Sequence, residues 1–137
     1  MKCPAIFRIE SNRVWRTYLG GRTLDEISGE ANPANSHFPE DWILSTTLAK
    51  NIGRETFTTE GLSSLSSTGN GTQFLSEWLD RCPVEMLGER HLARFGKSAG
   101  FLLKFLDSSI RLHMQCHPTV SFSRRFLNSE HGKSEGY

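Results

Sequence analysis

The sequence predicts a mainly β fold interrupted by a helical insertion at about residues 73–96. Three observations predict it. β-Branched, aromatic or alternating stretches recur at 5–9, 41–48, 101–106 and 111–117, and each reads as a strand. From Gln73 the apolar spacing changes to a helical period. Gly- and Pro-containing segments separate these runs.

The strand at 5–9 alternates around Phe7, and the residues 19–22 form a turn through Gly20 and Gly21. Residues 28–41, rich in Gly, Pro, Asn and Ser, read as a long surface loop of the functional or flexible kind. The strand at 41–48 follows, then a Ser/Thr/Gly-rich mobile loop at 62–72. Phe74, Leu75, Trp78, Leu79 and Cys82 share one helical face, with Thr72 as N-cap and Pro83 as the stop. A second helix carries Met86, Leu87, Leu92 and Phe95 and ends at Gly96. These apolar stripes read as core. The strands at 101–106 and 111–117 form an antiparallel hairpin turned at 107–110 and closed by Pro118.

A chain of 137 residues is the size of one domain and can bury a core without disulfides. Sixteen Lys and Arg against 15 Asp and Glu give a net charge of +1. That balance excludes a DNA-packaging protein, a polybasic membrane binder and an acidic tail, so neither nucleic acid nor membrane is an expected partner. Mean hydropathy is −0.42, yet nine Phe and three Trp are too many aromatics for a disordered chain. Cys3, Cys82 and Cys116 are odd in number and scattered, which points to a reducing compartment rather than a disulfide framework. No run approaches the roughly 20 apolar residues of a membrane span, and the N-terminus lacks a signal-peptide core. A cytoplasmic location is expected.

The chemistry concentrates in the last third. In a strand over 111–117, His113, Gln115 and His117 share one face and Leu112, Met114 and Cys116 the other. Imidazole is the commonest ligand of a borderline metal such as zinc, and a carboxylate completes such sites. If the hairpin pairs Leu106 with Arg111, Lys104 lies opposite His113 on the same face. Lys104 then either snorkels from an edge strand or is a cation beside a metal and an anionic substrate. The string 131–135, with His131, Lys133 and Glu135, reads by itself as a solvated charged turn, as does the Arg124–Arg125 pair. His91 reads as a surface residue of its helix.

Three segments in this order carry a resemblance: Leu102-Leu103-Lys104-Phe105-Leu106-Asp107, then Gln115-Cys116-His117-Pro118, then Gly132-Lys133-Ser134-Glu135. They resemble the F-L-L-K-x-x-D, Q-x-H-P and G-K-[TS]-E motifs of the type I phosphomannose isomerases, which are zinc-dependent enzymes of the cupin superfamily. Looser similarity covers Val14-Trp15 with Gly20-Gly21, the Asp41-Trp42 strand, and the helices around Trp78, Pro83 and Gly88. The resemblance implies a cupin-type (jelly-roll) barrel and interconversion of mannose 6-phosphate and fructose 6-phosphate. It implies Gln115, His117 and Glu135 as zinc ligands, Lys133 as an aid to proton transfer and Lys104 as a binder of the anionic substrate.

Departures accompany the matches. The family's second metal-binding His and its catalytic Arg follow the Glu of the third motif, and neither has a counterpart in these 137 residues. His113 stands where the family commonly has a small residue. Residues 1–137 are therefore expected to be the N-terminal portion of one cupin isomerase domain, truncated before barrel closure and inactive or weakly active by itself. The alternatives are a non-catalytic cupin module that binds a metal or a sugar phosphate, and an iron cupin performing oxygenation, whose usual His-x-His pattern is only partly imitated by His113, Gln115 and His117.

Overall fold

The computed structural model describes residues 3, 6–66 and 73–133. In chain order the elements are β1 (Arg13–Val14), α1 (Arg22–Ser28), β2 (Glu40–Leu44), β3 (Ser64–Leu65), β4 (Gln73–Phe74), α2 (Leu75–Arg81), α3 (Pro83–Leu87), α4 (Glu89–Phe95), β5 (Leu103–Leu106) and α5 (Val120–Phe126). Among the described residues the architecture is mixed, with five helices and two small antiparallel sheets, and no barrel closes. No helix among them is long and apolar enough to cross a membrane.

The larger sheet has the order β1-β2-β5. β2 is central, with Val14 opposite Glu40 and with Glu40 opposite Leu106 and Leu44 opposite Leu103. The expected strand over 41–48 starts one residue earlier and stops at Leu44. The buried Ser63 hydroxyl ends it. That hydroxyl donates to the carbonyls of Trp42 and Ile43 and accepts from the Ser45 N–H at 2.8 Å, so backbone groups a longer ladder would use are already satisfied. β3 and β4 form the second sheet, with Ser64 opposite Phe74.

The expected hairpin between 101–106 and 111–117 does not form. β5 pairs with β2 instead, and 111–117 contains no strand. The turn groups are held elsewhere. Gly21 N–H donates to the Asp107 carbonyl at 2.8 Å, Ser109 N–H donates to the Leu19 carbonyl at 3.0 Å, and Thr23 N–H donates to the Asp107 carboxylate at 2.7 Å. These bonds carry the chain across residues 19–23 rather than back along β5. The juxtaposition of Lys104 with His113 in such a hairpin falls with it. The strand at 5–9 is likewise reduced, among the described residues, to a single bridge between Ile9 and Leu65.

That crossing depends on Gly20, which bridges both Ser36 and Ser108. A Cβ there would stand 1.9 Å from the Asp107 carbonyl oxygen and 2.9 Å from the Ser108 Cα. Both are backbone atoms and cannot swing away. Gly20→Ala should therefore lower stability by about 2 kcal/mol, within the usual range for overpacking, measured by urea denaturation with an unchanged slope.

The helical stretch at 73–96 holds α2, α3 and α4. The Thr72 cap lies outside the described residues, and Phe74 holds the N-cap position of α2. Pro83 does separate two helices, but as the first residue of α3, where its missing N–H breaks no helical bond. Gly96 caps α4 as expected. α1 and α5 fall in stretches that show no helical period. α1 buries only Leu24, and α5 buries only Ser123 while Thr119 Oγ1 accepts from the Phe122 N–H to cap it.

Two apolar clusters result. Leu65, Leu75, Trp78, Leu79 and Cys82 form one, with Cys3, Phe7, Ile9 and Met86 packed on it. Val14, Trp42 and Ala49 form the other, backed by Leu102. β5 lies outside both, as an edge strand of its sheet with Leu103 and Phe105 exposed.

Candidate functional site

Alternation at the start of β2 sets Glu40 and Trp42 on one side of the strand, both buried, before the register with β5 shifts ahead of Leu44. The acid on that side, Glu40, is only 3% exposed. A carboxylate at that depth needs partners, and it has four. Tyr18 donates its hydroxyl to Oε1, and Trp42 Nε1 donates to Oε2 at 2.7 Å. Arg16 and Lys104 approach Oε2 at 3.0 Å and 3.3 Å. The Arg16 guanidinium also covers the Trp42 ring, 5.0 Å from its centroid.

These partners set the ionisation of the pair. Burial pushes the Glu40 carboxyl up, but the donors Tyr18 and Trp42 and the charge of Arg16 outweigh it and hold the carboxyl below its ordinary range. Tyr18 moves the other way, as burial and the adjacent carboxylate push its hydroxyl well above the ordinary phenol range. At neutral pH the cluster is thus one carboxylate and a neutral phenol beside two cations. It carries a net positive charge, and neither cation is fully buried.

A second ionic group adjoins the first. Arg54 grips Glu60 through two contacts of 3.1 Å and 3.2 Å, and Glu60 accepts from the Trp15 N–H at 2.9 Å. Arg54 also lies 3.8 Å from the Phe57 ring centroid. Asn51 links the groups by accepting from Arg16 at 3.2 Å and donating to the Trp15 carbonyl at 3.1 Å. Trp15 itself stacks on His37. The loop from Leu48 to Thr58 that supplies Asn51 and Arg54 lines an open, largely apolar cavity of about 420 Å³.

The sequence-predicted residues divide into two groups. Lys104 belongs to the Glu40 cluster, where its ammonium meets a carboxylate rather than His113. An ion pair of this kind suits an anion-binding cation better than a base. Gln115 and His113 are exposed in irregular chain, and His117 is half-buried. The Lys133 N–H donates to the Pro118 carbonyl at 2.9 Å, which folds the Gly132–Lys133 segment against the one holding Gln115 and His117. A Cβ on Gly132 would meet the Val120 nitrogen at 2.7 Å and the Pro118 oxygen at 2.8 Å, so glycine is required for that approach. Glu135 lies outside the described residues. Among those described, no group of three or more His, Cys, Asp or Glu could hold a metal. Gln115 and His117 supply an amide oxygen and an imidazole nitrogen, a neutral pair that needs a carboxylate to complete a zinc site.

The other flagged residues lie apart from this arrangement. His91 Nε2 contacts the Ser98 carbonyl at 2.7 Å, and Arg124 pairs at the surface with Glu130. Sequence reasoning missed Arg16, Tyr18 and Glu40. The available signal was the acid at the start of β2, which the alternation places with Trp42.

A comparison of the chain with protein-family models, with curated proteins and with solved structures finds no match.

Proposed function

We propose that this chain belongs to a zinc-dependent aldose–ketose isomerase of the cupin type, acting on mannose 6-phosphate and fructose 6-phosphate in the cytoplasm. The observation that carries this reading is the backbone contact of Lys133 with Pro118, which joins the Gly-Lys and Gln-x-His-Pro segments although thirteen residues of other structure intervene. The Glu40 cluster supports it by holding Lys104 and Arg16 as cations suited to an anionic substrate. The exposed edge of β5 is what a sheet presents where a further barrel strand adds.

In this reading Gln115, His117 and Glu135 hold the zinc, which when bound polarises the substrate's carbonyl and hydroxyl oxygens. Lys104 and Arg16 orient the sugar phosphate through its negative charge, and Glu40 fixes both cations in place. Lys133 moves the proton between C1 and C2, from the segment that Gly132 presses against Pro118. Trp42 and Tyr18 keep water from the buried side of Glu40.

Two measurements test the proposal in the protein that contains these residues. Gln115→Leu or Glu135→Ala should each lower bound zinc at least tenfold by elemental analysis, and unchanged zinc removes the ligand assignment. Lys104→Met should raise the KM for mannose 6-phosphate about tenfold, the loss of one charged contact, with a smaller change in kcat. Sugar-phosphate binding with no turnover in a coupled assay would favour the non-catalytic cupin module instead. Iron with oxygen uptake would favour an oxygenase.

A further inference from the structure

Cys3 and Cys82 are far apart in sequence but meet in the first apolar cluster. Cys82 is buried at the junction of α2 and α3, where it ends one helix and begins the next. Cys3 packs on the same cluster and is half-buried, and burial together with the neighbouring Cys82 pushes its thiol up. Both are free thiols. The third cysteine, Cys116, is exposed.

We propose that Cys3 and Cys82 form a reversible disulfide that staples the N-terminal segment to the α2–α3 junction, made by exchange with a low-molecular-weight disulfide. Accessibility assigns the two roles. The Cys3 thiol, the more accessible of the two, loses its proton and attacks one sulfur of the small disulfide. One small thiol leaves and a mixed disulfide remains on Cys3. Cys82 then loses its proton and attacks the Cys3 sulfur, expelling the second small thiol. In sum, two protein thiols give up two protons and two electrons, and one small disulfide is reduced to two thiols.

A buried resolving thiol in the same apolar cluster as the attacking one makes the second step intramolecular, so the mixed disulfide should not accumulate at Cys3. Cys116 lies in exposed chain away from this cluster and should keep its mixed disulfide. The bridge closes a loop running from Cys3 to Cys82, more than half of the chain, and longer loops are those in which cross-linking restricts the unfolded ensemble more.

The experiment treats the wild-type chain and a Cys116→Ser variant with oxidised glutathione. Peptide mapping under non-reducing conditions follows. The expected result in Cys116→Ser is a Cys3–Cys82 peptide, an intact mass lower by two hydrogens and the loss of both free thiols, reversed by excess dithiothreitol. Wild type should add one glutathione, on Cys116, and carry the same bridge. Glutathione retained on Cys3, or Cys82 still alkylated after denaturation, overturns the proposal. Cys3→Ser, which changes only the half-buried partner, should leave Cys82 as a free thiol under the same treatment. The wild-type map keeps the test independent of how either variant folds.

Discussion

Glu40→Gln is expected to destabilise the protein by about 3 kcal/mol, the cost typical of breaking a buried ion pair by removing one partner. The wild-type carboxylate is an acceptor at both oxygens and meets four donors, from Tyr18, Trp42, Arg16 and Lys104. A Gln side chain of the same shape has one acceptor oxygen and an NH₂ group. Whichever way the amide turns, its NH₂ faces at least one of those donors. Two cations also lose their counter-charge, and Arg16 and Lys104 are each less than one-third exposed on the side chain. The loss therefore exceeds that of an ordinary surface ion pair, which is at most about 1 kcal/mol. Urea denaturation at neutral pH checks it, and a change under about 1 kcal/mol would show that the cluster is solvent-screened.

The same residue gives the sign of the acid response. The folded carboxyl sits below its ordinary value of 4.5, so the unfolded chain takes up its proton first as pH falls. Its contribution is complete above that ordinary value and is lost as pH falls through the folded value. Asp25, held low by the Ala34 N–H and by Arg13 against the opposing effect of its desolvation, acts with the same sign. Denaturation measured across the acidic range should show wild type losing stability, and Glu40→Gln should flatten that dependence.

Trp78→Ala is expected to cost about 4 kcal/mol, near the middle of the range for removing a buried Trp. Trp78 is central to its cluster, packed with Leu75, Leu79, Leu65 and Cys82, and meets the Phe7 ring edge-on at 5.3 Å. Losing the indole opens a cavity between α2 and the N-terminal segment. Phe7 is then left without its partner. Calorimetry should show a lower midpoint together with faster proteolysis at residues 6–9. A loss near 1 kcal/mol would mean that the segment collapses into the space. The Glu40 cluster belongs to the other apolar group, with Trp42, so the two substitutions should add within about 0.5 kcal/mol.

α2 was legible because its apolar residues repeat at the helical period and bury Leu75, Trp78 and Leu79, whereas the expected second helix divides at Gly88 into α3 and α4, neither with a fully buried residue, and ends at Gly96 as expected. α1 was not, because a short helix that buries only Leu24 has almost no period to read. The start of β2 was legible within one residue, but its end was not. A hydroxyl eighteen residues away, on Ser63, terminates it. The alternation over 111–117 was real in sequence and gave no strand, since β5 found a partner in β2 and the following chain was bound by residues 19–23. Periodicity states which residues would share a face if a strand formed. It does not say which strand will be the partner.

By itself, then, the sequence determined the local properties of this protein: the helical period at 73–96, the glycines and prolines at its turns, and the ordered set of Lys, Gln-x-His and Gly-Lys segments. Those follow from side-chain chemistry over a few residues. Only the tertiary structure decided that Lys104 meets Glu40, that Arg16 and Tyr18 share that carboxylate, and that Lys133 lies against Pro118. Each of those pairings joins residues distant in the chain, and strand partnership, burial and backbone hydrogen bonding select them together.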